Sequence, residues 1–117
     1  MEDWAFDVED TLLAEFQEHQ LMLAGIAGLT DVVTWKLKEI QRNPHMAGSV
    51  RAVDGDVVYL AQTGRYRSGV PPLLIVYLLD IRQRIIRPFL LCKEDEDDDV
   101  DDRIRRALRR RKKPGEH

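Results

Sequence analysis

Six cations flank the apolar runs in the second half of the chain: Arg65 and Arg67 in a glycine-bearing segment, Arg82, Arg84 and Arg87 around a short polar break, and Lys93 behind the last run. Guanidinium and ammonium groups that converge on one surface can hold a phosphodiester and stabilise the extra charge of a phosphorane-like transition state. RNA can then be cut by its own neighbouring 2′-hydroxyl, without a metal. In that scheme Arg65, Arg67 and Arg84 bind RNA, while Arg67, Arg87 and Lys93 stabilise charge at the reacting phosphate. Bases at sheet edges also simply discourage aggregation, so the pattern by itself leaves both readings open.

Other chemistries have weaker support. The run Glu94–Asp102 holds eight acids in nine positions, but it lacks the alternating acids, central glycine and terminal glutamate of a calcium loop. Asp99 with Arg103, Asp101 with Arg105 and Asp102 with Arg106 are spaced as i, i+4 pairs of the favourable orientation, so a self-paired, solvated helix is the expectation. His19, His45 and His117 have no metal-ligand spacing, Cys92 is the single cysteine, and Ser68 has no evident His and Asp partners. No GxSxG, P-loop, GxGxxG or HExxH string occurs. The expectation is therefore no metal and no cofactor.

The elements that must position the cations are legible as periodicities. Leu12, Leu13, Phe16, Leu23 and Ile26 recur at helical spacing from Thr11, with Asp10 or Thr11 as N-cap, and predict a first helix ending near Gly25 or Gly28. Thr30 or Asp31 caps a second, carrying Val33, Leu37 and Ile40, which Pro44 stops at Asn43. Beyond Pro44 the pattern becomes strand-like in 56–62, 73–79 and 84–92, the last two joined as a hairpin through Asp80–Gln83. Pro88 cannot donate to a ladder, which places a bulge there or turns that position to solvent. Residues 63–72 read as a loop, a short strand is possible around Trp4–Val8, and Val100, Ile104, Ala107 and Leu108 mark a charged C-terminal helix. The resulting fold class is α+β: an N-terminal helical hairpin packed on a three- to four-stranded, mainly antiparallel sheet.

A chain of 117 residues, 44% hydrophobic and 33% charged, supports one core and one domain. Its net charge of −3 conceals segregation. Residues 21–93 hold ten bases against five acids, and residues 103–113 hold eight bases, so a polyanionic partner is compatible with the acidic overall balance. The basic cluster suits a polyanion-binding tail and a frayed charged helix equally. The strongly apolar run Leu73–Leu79 has seven residues, against the ~20 that a membrane helix needs. With no leader-like N-terminus, a cytoplasmic location without membrane contact is expected.

In order along the chain come two helices ending at Asn43-Pro44, a strand, the basic loop Gly64-Arg65-Tyr66-Arg67-Ser68-Gly69, an apolar strand with Val76-Tyr77, and a strand closing on Lys93-Glu94. This order resembles the RelE/ParE toxin superfamily, and over about fifty residues from Asn43 its HigB-like branch. The resemblance implies a single RelE-like domain over 1–117, with 94–117 as charged helix or tail. It further implies a type II toxin–antitoxin toxin: a ribosome-dependent mRNA interferase silenced by a cognate antitoxin of helix-turn-helix type. One departure stands out. The family usually places an arginine, a principal phosphate ligand, just before the apolar strand, where this chain has Pro72 and Leu73. The alternative is accordingly a non-catalytic RelE-fold binding protein, either a degenerate toxin or a ParE-like inhibitor of DNA gyrase.

Overall fold

The structure, a computed structural model, describes residues 4–7, 11–23, 25–64, 69–94 and 100–112. In chain order the elements are β1 (Ala5–Phe6), α1 (Thr11–Met22), α2 (Leu29–Arg42), α3 (Pro44–Ala47), β2 (Ser49–Val53), β3 (Asp56–Gln62), β4 (Leu73–Asp80), β5 (Ile85–Lys93) and α4 (Val100–Lys112). The fold is α+β, as the change of period at Pro44 predicts. The sheet is larger than expected: five strands in the order β1-β5-β4-β3-β2. It is also mixed, since β1 runs parallel to β5, pairing Ala5 with Ile85 and Phe6 with Ile86, while the other pairs are antiparallel.

The unpredicted strand is β2. Four of its five residues are exposed, so the alternation that reveals a half-buried strand is missing. Its signal was the dipeptide Asp54-Gly55, which joins β2 to β3 with φ of 52° and 86°. Positive φ at both central residues of a two-residue loop is the turn that Asp-Gly favours in tight hairpins.

Helix α2 buries Leu29, Val32, Val33, Lys36 and Ile40 along one stripe. It begins two or three residues earlier than expected, with Gly28 in the left-handed region as N-cap. Asp31 therefore sits in the first turn, where its charge complements the helix dipole, instead of capping. Asn43 leaves the helical region and Pro44 opens the one-turn α3, in keeping with the bias that proline imposes on its predecessor. Of the two residues proposed to cap α1, Asp10 lies outside the described residues.

Two apolar clusters sit on opposite faces of the sheet. On one, Phe16 of α1 and Leu29, Val32, Val33 and Ile40 of α2 pack with Ala61, Leu73, Ile75, Tyr77, Ile86 and Leu91. On the other, Val100, Ile104, Ala107 and Leu108 of α4 pack with Val58, Leu60, Leu74, Val76, Phe89, Leu90 and Cys92. The charged C-terminal helix is thus the third layer of the molecule, anchored by the four apolar positions its sequence spaces along one side. Helix α1 lies along β5 and also meets α4, so with β1 it covers the edge of β5 that would otherwise be open.

The β4–β5 ladder breaks once. Val76 pairs with Leu90, but Tyr77 pairs with Pro88, which leaves Phe89 as the extra residue of a bulge. Pro88 lacks the donor that a regular ladder needs there, so the bulge falls beside it. Because side chains alternate faces, one inserted residue exchanges the faces of everything beyond it. Ile86 and Leu91 consequently share the α2-side cluster despite their opposite parity. The expected α1–α2 hairpin on one face is not what forms it, since α1 packs along β5 and meets α4.

Candidate functional site

The bulge decides where the cations of β5 point. Lys93 pairs with Leu73, a residue of the α2-side core, whereas Arg87 pairs with Leu78, which packs on the α4 side. The two side chains therefore leave opposite faces of the sheet. Six residues of strand also separate them, about 20 Å at the rise of an extended chain. The structure does not bring Arg87 and Lys93 together.

Arg87 is held in place by carboxylates. Its Nε donates to Asp7 Oδ2 at 2.8 Å, and its Nη1 lies 3.6 Å from Asp80 Oδ2, with only 19% of the side chain exposed. Arg84 occupies the β4–β5 turn with φ of 57°, strained for a residue with a side chain, and places its guanidinium carbon 5.8 Å from the centre of the Trp4 ring. Arg82 is exposed in the same turn. These three belong to one end of the sheet.

The opposite end gathers the remaining parts. The Thr63 N–H donates to the Leu73 carbonyl at 2.9 Å, and the Leu73 N–H donates back to Thr63 Oγ1 at 2.8 Å. The Glu94 N–H donates to the Pro72 carbonyl at 2.8 Å, and Gln62 Nε2 donates to Glu94 Oε2 at 3.3 Å. Both stems of the loop 64–72 are thereby stapled beside Lys93, the cross-strand partner of Leu73. Thr63 is buried to 6% exposure because its hydroxyl takes the place of a ladder acceptor for Leu73. Arg65, Arg67 and Ser68 lie outside the described residues. Leu73, standing where the resemblance expects an arginine, is fully buried in the α2-side core.

Sequence reasoning missed an aromatic row on the α2 side of the sheet. Tyr59 of β3 stacks on its cross-strand partner Tyr77 of β4 with centroids 5.5 Å apart and planes 16° from parallel. His45 of α3 meets Tyr59 edge-on at 6.0 Å and Trp4 at 5.5 Å. The Tyr77 hydroxyl, completely buried, donates to the Pro44 carbonyl at 2.6 Å. Burial first, then the neighbouring Tyr59 phenol, push that hydroxyl well above the usual phenol range, so it serves as a fixed donor and not as a proton shuttle. A Cβ at Gly48 would lie 2.8 Å from the same hydroxyl and 3.0 Å from the Leu60 carbonyl oxygen, which explains the glycine directly after α3. The signal in the sequence was the Asn43-Pro44 step, which sets a one-turn helix carrying His45 against the tyrosine strands.

The acidic run behaves differently from its expected self-pairing. Residues 95–99 lie outside the described residues, but Asp101 pairs with Arg51 of β2 at 2.9 Å and Arg105 reaches Asp54 of the β2–β3 turn at 3.2 Å. Within the helix, Arg105 pairs with Asp102 at i+3, at 2.7 Å. These contacts tie α4 to the outer hairpin. Among the described residues, no group of three or more His, Cys, Asp or Glu stands close enough to hold a metal ion, and no helix is long and apolar enough to cross a membrane.

No protein-family model matches the chain, and neither the curated proteins nor the solved structures yield a match.

Proposed function

We propose that the chain is a RelE-like toxin of the HigB-like kind, an mRNA interferase that works on ribosome-engaged messages in the cytoplasm and is neutralised by a cognate helix-turn-helix antitoxin. The observation that carries this reading is the stapling of the basic loop's two stems beside Lys93. Gln62–Thr63 and Pro72–Leu73, which flank the basic loop, meet Lys93–Glu94, a piece of the resemblance, at one end of one sheet.

In this reading Arg65 and Arg67 grip backbone phosphates and Lys93 stabilises the charge that develops on the scissile phosphate. The 2′-hydroxyl of the upstream nucleotide attacks phosphorus and gives up its proton to solvent. The 5′-oxygen leaves and takes a proton, which yields a 2′,3′-cyclic phosphate and a new 5′-hydroxyl end. The ribosome supplies the in-line geometry, whose contribution through orientation alone is large. No cofactor enters. Arg87 and Arg84, at the other end of the sheet, are assigned structural roles.

Induced expression followed by mapping of mRNA 5′ ends tests the reading, with Lys93→Ala and Arg67→Ala beside the wild type. New 5′ ends that disappear in both variants are expected, together with co-purification of the small protein encoded next to this one. Absence of growth arrest and of new ends from the wild type would remove it.

The buried Leu73 favours the second reading, a non-catalytic RelE-fold protein that binds a protein target. Growth arrest without new mRNA ends, accompanied by inhibition of gyrase supercoiling by the purified chain, is its expected signature.

A further inference from the structure

The sheet has one open edge. Strand β1 and helix α1 lie along β5, whereas β2 ends the sheet on the other side among the described residues. Natural edge strands are guarded by charges, prolines or bulges. Strand β2 has no proline and pairs with β3 in unbroken register. Its single charge, Arg51, is neutralised by Asp101 of α4 at 2.9 Å.

The register fixes what the edge presents. The two-residue turn closes on Val53 and Asp56, which makes theirs a hydrogen-bonded pair, and such pairs alternate along an antiparallel ladder. Just beyond β3 the Thr63 N–H bonds to Leu73, in keeping with odd-numbered residues there serving β4. Val50 and Ala52 of β2 therefore direct their N–H and C=O groups outward. Their side chains lie on the α2 side of the sheet with their cross-strand partners Tyr59 and Val57. Val50 and Val57 are 62% and 53% exposed.

This edge is complementary to itself. An antiparallel pairing about a two-fold axis beside Arg51 sets Val50 of one copy against Ala52 of the other, with two main-chain hydrogen bonds at each such pair. Moving the axis one residue either way would draw Gly48 or Asp54, outside the strand, into the ladder. With the axis at Arg51, two apolar rows cross the junction, each running from Tyr59 and Val50 of one copy to Ala52 and Val57 of the other. The larger valine meets the smaller alanine in both rows. On the α4 side the two Arg51 side chains stand opposite, which is destabilising unless each charge is neutralised. Asp101 does so. Arg105 is likewise paired, with Asp54 and Asp102, so the edge offers a polyanion little net charge.

We infer that the chain forms a homodimer in which β2 pairs antiparallel with β2 of a second copy, joining two five-stranded sheets into one. Dimerisation needs nothing from the Lys93 end and stands apart from the catalytic reading.

Sedimentation velocity of the purified chain over a concentration series is the test. The wild type should reach twice the 13.6 kDa chain mass. Val50→Lys, at an exposed position, and Ala52→Pro, which removes an outward N–H, should each stay monomeric with an unchanged far-ultraviolet circular dichroism spectrum. Asp101→Asn should weaken the dimer at low salt and recover it as salt screens the two arginines. Arg51→Cys checks the register: across the axis the two Cα atoms lie about 4.5 Å apart, within disulfide range, so oxidation should give a covalent dimer, and Ser49→Cys should not. Cys92 is buried and does not compete. A wild type that stays monomeric alone, whether or not another protein then adds to the edge, overturns the inference. So does a dimer that survives both Val50→Lys and Ala52→Pro.

Discussion

The two ends of β5 carry the same kind of residue on opposite faces of the sheet. At the Ile85 end, Arg87 is clamped between Asp7 and Asp80 and Arg84 leans on Trp4. At the Lys93 end, the cation stands beside the two stapled stems of the loop whose sequence carries Arg65 and Arg67. A guanidinium already satisfied by two carboxylates has little left for a phosphate, because the Coulomb attraction it offers is cancelled at short range. The face a strand presents, and the acids beside it, set what a base such as Arg87 can reach.

The harshest way to break that contrast is to put back the missing arginine. Leu73→Arg would bury an uncompensated charge among Val70, Ile75 and Leu91, at a cost of more than about 4 kcal/mol. We expect loss of the near-ultraviolet circular dichroism signal and no cooperative thermal transition. A folded, more active variant would mean that the strand can turn this position outward.

Lys93→Ala sharpens the contrast from the functional end. Losing one preorganised charge-stabilising group should lower cleavage on the order of 10²- to 10³-fold.

Arg87→Ala tests the fastener. It leaves Asp7 and Asp80 without their partner between β1, β4 and β5, and chemical denaturation should show a loss of about 2 kcal/mol, typical of charged hydrogen bonds. Cleavage per folded molecule should stay near that of the wild type.

The smallest effect falls midway along the sheet, where Tyr77 pairs with Pro88. Tyr77→Phe removes the hydroxyl that serves the buried Pro44 carbonyl and should cost about 1 kcal/mol at neutral pH. The sign of the alkaline limb follows from the raised folded-state value. A phenol that holds its proton more tightly when folded contributes stability fully below its ordinary value near pH 10 and loses it progressively above. Wild-type stability should therefore decline above about pH 10 more steeply than that of Tyr77→Phe.

What the sequence reveals and what it hides have separate physical causes. Helices α1, α2 and α4 and strands β3, β4 and β5 announce themselves because burial imposes a period, whereas the one-turn α3 was not read from the sequence. Strand β2 buries only Val53 of its five residues and has no period to read; the Asp54-Gly55 turn was its one mark. The α4 layer is hidden in plain view, four apolar side chains among many charges. The candidate site was legible in its membership and not in its grouping. Arg87 and Lys93 share odd parity, which in a regular strand places them on one face, and the single extra residue at Phe89 reverses that. Proline signalled that a bulge was near but could not say on which side of it the face changes. The row from Trp4 to Tyr77 depends on contacts between β1, α3, β3 and β4, so no local pattern contains it.

The contrast between the ends of β5 is tested most directly by mapping mRNA 5′ ends after induction of the wild type, Lys93→Ala and Arg87→Ala at matched levels of folded protein. The account predicts new ends from the wild type and from Arg87→Ala and their loss in Lys93→Ala. Cleavage that survives in Lys93→Ala and vanishes in Arg87→Ala would contradict it, and would move the chemistry to the other end of the strand.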